Sequence, residues 1–217
     1  MNKLNASVFH IPMPDKIKRL PISKEGYPTP WFAATIGGER DFRVADTEKF
    51  YAAVKRSLCW VCGQQLGQYK VFVLGPMCVV NRNTAEPPCH LECAEYSAKA
   101  CPFLTRPRMR RNAADLPEGA KWSESGIRRN PGAVALWSTK TFKTYRNHVD
   151  GGTLFEIGDP EKILWFAEGR KATRAEVDES VRTGLPFLEE MAKKEGPEAE
   201  VALAKMLREC EPLWPTP

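Results

Sequence analysis

The sequence predicts an α+β protein with a cysteine-rich core, a small antiparallel sheet and a helical C-terminus. Three observations predict it. Six of the seven cysteines fall between Cys59 and Cys101. Residues 133–167 are a succession of β-prone runs separated by turn residues. From Thr173 onward the apolar spacing changes to a helical period.

Composition sets the frame. The chain has 217 residues, 42% hydrophobic and 27% charged, close to the average of globular proteins. That excludes a disordered or collagen-like chain. No apolar run approaches the roughly 20 residues a membrane-spanning helix needs. The N-terminus lacks the apolar core of a signal peptide, since Lys16, Lys18 and Arg19 interrupt it. A cytoplasmic protein is expected, and in a reducing compartment clustered cysteines point to a metal before disulfides.

Residues 1–45 read as an extended arm and a hairpin. Pro12, Pro14, Pro21, Pro28 and Pro30 limit regular structure in the arm. Two β-prone runs flank Gly37-Gly38, a hairpin signal. Residues 46–105 read as the metal-binding module. Asp46 can cap a helix with Phe50, Val54 and Leu58 along one stripe. Tyr69–Leu74 and Met77–Asn81 follow as two strands broken by Gly75-Pro76, and a helix is expected from Pro88 through Ala94, Ala98 and Ala100.

Residues 106–170 read as a basic linker and the antiparallel sheet. The sheet's strands are expected in 133–146, Thr153–Ile157 and Ile163–Ala167, the last two joined by a turn at Gly158-Asp159-Pro160. Residues 171–217 read as helices. Thr173 and Glu176 fit a capping box opening a helix that should end near Gly184. Pro197 should open the last helix, packed through Ala199, Leu203, Met206, Leu207 and Cys210.

Within the module, Cys59-Trp-Val-Cys62-Gly63 can form a tight turn that points two thiolates at one zinc, about 2.3 Å away. Gly63 permits the left-handed backbone such a turn needs. Glu86-Pro-Pro-Cys89-His90-Leu-Glu-Cys93 places further ligand types at a helix start. The order of cysteine turn, hairpin and helix resembles the treble-clef zinc finger, which implies the ligands Cys59, Cys62, His90 and Cys93. Cys89 remains an alternative to His90. Cys101-Pro102 leaves an iron–sulfur alternative open. Cys78 and Cys210 read as packed thiols.

Three thiolates and one imidazole leave no open coordination position, so the chemistry reads as structural rather than catalytic. Other signatures of enzymes are missing. There is no phosphate-binding Gly-Lys-Ser/Thr loop and no Gly-x-Ser-x-Gly elbow. The stretch from Lys70 to Arg82 lacks the histidine of a treble-clef nuclease. His148 beside Asp150 could act as a base, but a lone turn histidine is more often simply exposed.

Charge is uneven. Residues 99–148 hold 11 Lys and Arg against 3 Asp and Glu, while residues 149–217 hold 9 against 15. Arg106, Arg108, Arg110 and Arg111 precede a run in which Lys140, Lys143 and Arg146 alternate with Trp137, Phe142 and Tyr145. Cations interleaved with aromatics can neutralise phosphates and stack bases of DNA or RNA. Strand alternation gives the same pattern if the aromatics face a core.

Five phrases carry a wider resemblance: Cys59-Trp-Val-Cys62-Gly63, Gly75-Pro-Met-Cys78, Glu86-Pro-Pro-Cys89-His90, Cys101-Pro-Phe-Leu104 and Glu168-Gly-Arg-Lys-Ala-Thr-Arg-Ala-Glu176. Together they resemble an uncharacterised family of bacterial and phage or prophage proteins. The resemblance implies a mobile-element setting and brings no activity. Two functions are therefore expected: a non-catalytic zinc protein that binds nucleic acid, or a phage accessory protein that binds and modulates a host protein, such as a defence factor.

Overall fold

The fold comes from a computed structural model that describes residues 2–107, 109, 130–148 and 151–216. The proline-rich N-terminal segment carries only a 3-10 turn, Ala6–Val8, and a one-turn helix α1, Asp15–Lys18. It does not hang free. Val8, Ile11 and Ile17 are buried in the same apolar cluster as Cys59, Cys62 and Cys93.

Strands β1, Ala33–Ile36, and β2, Glu39–Ala45, pair across Gly37-Gly38, both at positive φ, as a two-residue hairpin turn requires. Helix α2, Thr47–Arg56, starts where the Asp46 carboxylate accepts the Lys49 N–H, and ends at Ser57 in the left-handed region.

Strand β3 spans Lys70–Leu74, and the segment after it differs from the sequence expectation. Met77–Asn81 is not a strand: Pro76–Asn81 form helix α3. Gly75 is extended at its N-cap and Pro76 sits at N1, where the missing N–H costs nothing. The β-branched Val79 and Val80 look strand-like in sequence, but here they are fully buried on a helix. After the short strand β4, Asn83–Thr84, helix α4 spans Leu91–Ala100, with His90 as its N-cap. It starts later than Pro88 suggests, because Cys89 is still extended and pairs with Val71 through both backbone bonds. Helix α5, Pro102–Thr105, follows.

Five more strands are β5 (Val134–Thr139), β6 (Phe142–Arg146), β7 (Thr153–Ile157), β8 (Lys162–Ala167) and β9 (Arg170–Lys171). They belong to two antiparallel sheets, ordered β3-β5-β8-β9 and β4-β7-β6. The run 133–146 is thus two strands of different sheets, and β7 and β8 do not pair across the turn that joins them. The chain changes sheets twice at one place. Gly158 N–H donates to the Thr141 carbonyl at 3.0 Å, and Gly158 accepts from the Trp137 indole at 2.9 Å. A Cβ on Gly158 would come 2.5 Å from the Thr141 carbonyl oxygen, so only glycine allows this approach.

Strand β5 is buried on both faces and divides the core. Val134 and Leu136 face the cysteine-containing cluster with α4, and Ala135 and Trp137 face a second cluster with α3 and the C-terminal helices. Helix α6, Arg174–Glu195, opens with the expected capping box and runs past Gly184 and Pro186, well beyond its expected end. Gly184 is a contact residue rather than a stop: a Cβ there would lie 2.9 Å from Met77 Cγ. Helix α7, Pro197–Cys210, returns after Gly196 and buries Cys210. Leu203 and Leu207 pack inward, whereas Met206 stays 38% exposed. Among the described residues no helix is long and apolar enough to cross a membrane.

Candidate metal centre

Two elements meet to make the centre. The first is the turn from Cys59 to Gly63. Cys59 N–H donates to Gln64 O at 2.7 Å, Gly63 N–H to Cys59 O at 2.8 Å, and Cys62 N–H to Cys59 Sγ at 3.5 Å. Gly63 has φ +73, and a Cβ there would lie 2.6 Å from the Trp31 ring, which covers the turn. The second element is the start of α4. His90 N–H donates to Cys59 Sγ at 3.4 Å, and Cys93 lies three residues on in the first turn. The two elements are tied together because Trp60 N–H donates to the Pro88 carbonyl at 3.0 Å.

The ligand atoms of Cys59, Cys62, His90 and Cys93 all lie within 4.8 Å of one another. A tetrahedron with metal–sulfur bonds of about 2.3 Å has edges of roughly 3.8 Å, so the four atoms are already near that size. His90 Nδ1 stands 3.4 Å from Cys62 Sγ and 4.0 Å from Cys93 Sγ. Its Nε2 lies 3.0 Å from the Gln65 carbonyl. A carbonyl only accepts, so Nε2 carries the hydrogen and Nδ1 of the neutral ring keeps its lone pair toward the thiols. The three cysteines are buried and free of disulfides.

Three thiols this close share charge unevenly. Cys59 is pushed far below the usual thiol range by hydrogen bonds from Cys62 and Cys93. Cys62 and Cys93 are pushed up, first because they donate to Cys59. His90 is raised by its contact with Cys59. A cation stands near: Lys16 Nζ lies 2.5 Å from Glu92, and its pKa is raised chiefly by that bond, with Cys93 and Cys62 adding to it in their thiolate forms. Sequence spacing gave no sign of Lys16, 76 residues from its partner. Nor did it mark the Gln65 carbonyl, a backbone group.

The remaining cysteines stay outside the group. Cys89, the alternative to His90, is buried with its thiol donating to the Val71 carbonyl at 3.2 Å. Cys101 caps α5, and it is not among the four converging ligands. Burial raises Cys78 to about 11. Three thiolates and an imidazole fit a closed four-coordinate site for a soft or borderline cation, and a closed site leaves no position for a reacting water. His148 is exposed beyond β6, and its neighbour Asp150 lies outside the described residues.

Of the expected nucleic-acid contacts, Arg106 closes α5, Lys140 stands just before β6, and Lys143 and Arg146 lie on β6. Arg106, Lys140, Lys143 and Arg146 are exposed, and Arg108, Arg110 and Arg111 lie outside the described residues. Lys140 pairs with Glu161 at 3.0 Å and sits over the Tyr69 ring. Lys143 stands opposite Glu156 of β7. The interleaved aromatics divide: Trp137 is fully buried and Phe142 packs on Phe72 and Phe155, so only Tyr145 is turned outward, at 39% exposure. Compared with known proteins, the chain matches no family model, no curated protein and no solved structure.

Proposed function

We propose that this protein is a non-catalytic zinc-binding protein that contacts nucleic acid through its basic stretch. One observation carries the metal reading: Cys59, Cys62, His90 and Cys93 converge from a cysteine turn and a helix start, with ligand atoms within 4.8 Å. Zinc suits this donor set best, because thiolates and imidazole satisfy it and no redox partner is needed. The ligand order is treble-clef-like, with α3 standing where that finger has a second hairpin strand. Zinc would hold the N-terminal segment, the turn and α4 as one unit.

The nucleic-acid reading is supported by the excess of cations in residues 99–148 and by the exposure of Arg106, Lys140, Lys143 and Arg146. It is tested by titrating the zinc-loaded protein with generic DNA and RNA across a salt series. Phosphate contacts release counterions, so affinity should fall steeply with salt. A second reading is a phage accessory protein that binds a host protein such as a defence factor. It is supported by Phe187, Met191 and Val201, which are 49%, 48% and 70% exposed on the acidic C-terminal helices. Salt-insensitive capture of a single host protein, with no nucleic-acid binding, favours that reading.

A further inference from the structure

Away from the metal centre, a cleft of about 210 Å³ opens between the N-terminal segment, the α4–α5 junction and the β8–β9 turn. Its walls divide by chemistry. Lys99 and Arg106 supply cations on one side. Among the described residues the Lys99 ammonium has one carboxylate within ion-pair distance, Glu95 at 3.8 Å, and lies over the Phe166 ring at 5.7 Å, which leaves N–H donors for a ligand. The backbone of Arg106 is pinned, because its carbonyl accepts from Met109 N–H and from the Asn130 side chain, while its side chain is exposed.

The other side accepts. Ser7 donates its hydroxyl hydrogen to Asn5 Oδ1 at 2.8 Å, so Tyr27, 3.1 Å from Ser7 Oγ, must donate there. Both hydroxyls have spent their hydrogens and offer only lone pairs to the cleft. Glu168, held at φ +50 in the β8–β9 turn, adds a carboxylate. A bare anion would meet that carboxylate. A nucleotide would not need to: its phosphate takes the cationic side, and base amino groups or sugar hydroxyls take the acceptors. Phe9, between the lining residues Val8 and His10, is 66% exposed, the most exposed aromatic among the described residues. Phe9 does not itself line the cleft, but it adjoins two residues that do, and an exposed aromatic ring beside a cleft can stack a base.

Placement agrees. Asn130 N–H donates to the Met109 carbonyl at 3.0 Å, so the chain leaves into the Arg-rich segment 110–129 and returns from it just beyond Arg106. Size then chooses between strand forms. A concave space of about 210 Å³ is smaller than a typical small-molecule pocket and holds only part of one nucleotide, its phosphate and sugar, with the base left at the opening, whereas a duplex keeps its bases stacked and presents a groove instead.

We propose that this cleft takes the phosphate and sugar of one nucleotide of single-stranded nucleic acid, with the phosphate on Lys99 and Arg106 and the base against Phe9. The proposal rests on the nucleic-acid reading and names its strand form and its site. Its test is fluorescence anisotropy of the zinc-loaded full chain. The probes are labelled 12-nucleotide single strands of mixed sequence, as DNA and as RNA, and the matching duplexes. Both single strands, or one of them, should bind at least ~10-fold tighter than the duplex. Phe9→Ala, a surface change, should weaken single-strand binding by roughly 5-fold or more and leave duplex binding unchanged. Arg106→Gln should weaken it and flatten its salt dependence by about one phosphate contact. Equal binding of single strand and duplex, or single-strand binding unmoved in Phe9→Ala and Arg106→Gln, overturns the cleft while leaving nucleic-acid binding elsewhere intact. No binding of any probe at low salt overturns both.

Discussion

Cys89 pairs with Val71 through both backbone hydrogen bonds, and its thiol donates to the Val71 carbonyl at 3.2 Å. That pairing turns Cys89 into a continuation of sheet structure and delivers the next residue, His90, to the cap of α4 facing the thiols. One residue's difference thus decides which side chain enters the cluster, since neighbours in an extended segment point to opposite sides.

The first consequence is a contrast between two cysteines. Cys93→Ser should abolish stoichiometric metal binding and unfold the segment around the turn, because metal binding at such a site supplies folding free energy. Cys89→Ser should keep one metal per chain, since a serine hydroxyl can still donate to Val71, at a cost of about 1–2 kcal/mol. Metal content and thermal melting of both variants check this. Metal loss in Cys89→Ser would reassign the third ligand.

Gly63→Ala tests the turn without touching a ligand. The position has φ +73 and the Trp31 ring 2.6 Å from a would-be Cβ. A left-handed alanine costs roughly 1 kcal/mol before any clash is counted. Competition with a colorimetric zinc chelator should show weakened retention of the metal, relieved in part by a smaller residue at Trp31. Unchanged retention would mean that the position accepts a side chain without disturbing the turn.

Much of this site was legible in the sequence. The Cys-x-x-Cys-Gly turn and the His-x-x-Cys at a helix start carry their geometry in their spacing. Strand partners did not, because a period of two identifies a strand and says nothing of its neighbour: β3 pairs with β5 more than sixty residues away. Met77–Asn81 misled because Val79 and Val80 favour strands, and burial against α6 and α7 overrode that preference. Gly184 looks like a helix stop, yet it serves the close approach of Met77. Prolines foretold an irregular N-terminal segment, but only the fold shows it packed on the cysteines.

Acid should act through Glu176. Its carboxyl is lowered from 4.5 to about 2, chiefly by the hydrogen bond from Arg170, with the Thr173 backbone contributing. A carboxyl lowered in the folded state stabilises fully above its ordinary value, and that stabilisation is lost as pH falls from about 4.5 toward 2. Glu176→Gln should therefore reduce stability at neutral pH and show less further loss across that window. Thr173→Ala, removing the other half of the capping box, should cost about 1 kcal/mol at neutral pH and less in acid, because its hydroxyl also donates to the Glu176 carboxylate. Circular dichroism melts between pH 2 and 7 measure both, and an identical pH profile in Glu176→Gln would contradict the assignment.

Removing cations should weaken nucleic-acid binding without sequence preference. A combined Arg110→Ala, Arg111→Ala, Lys143→Ala and Arg146→Ala variant should lower affinity for every sequence. It should also reduce the salt slope by about one unit per lost contact. Lys140 is left in place because it already pairs with Glu161. Binding unchanged in the combined variant would shift support to a protein partner.

The metal centre is tested most directly by X-ray absorption spectroscopy with elemental analysis on the purified chain. The four ligand atoms of Cys59, Cys62, His90 and Cys93 are compatible with a metal ion, and the proposed zinc should appear as one per chain, with three sulfur neighbours at about 2.3 Å and one nitrogen at about 2.0 Å. A folded protein without metal, or one holding iron with sulfur-only ligation, would contradict it.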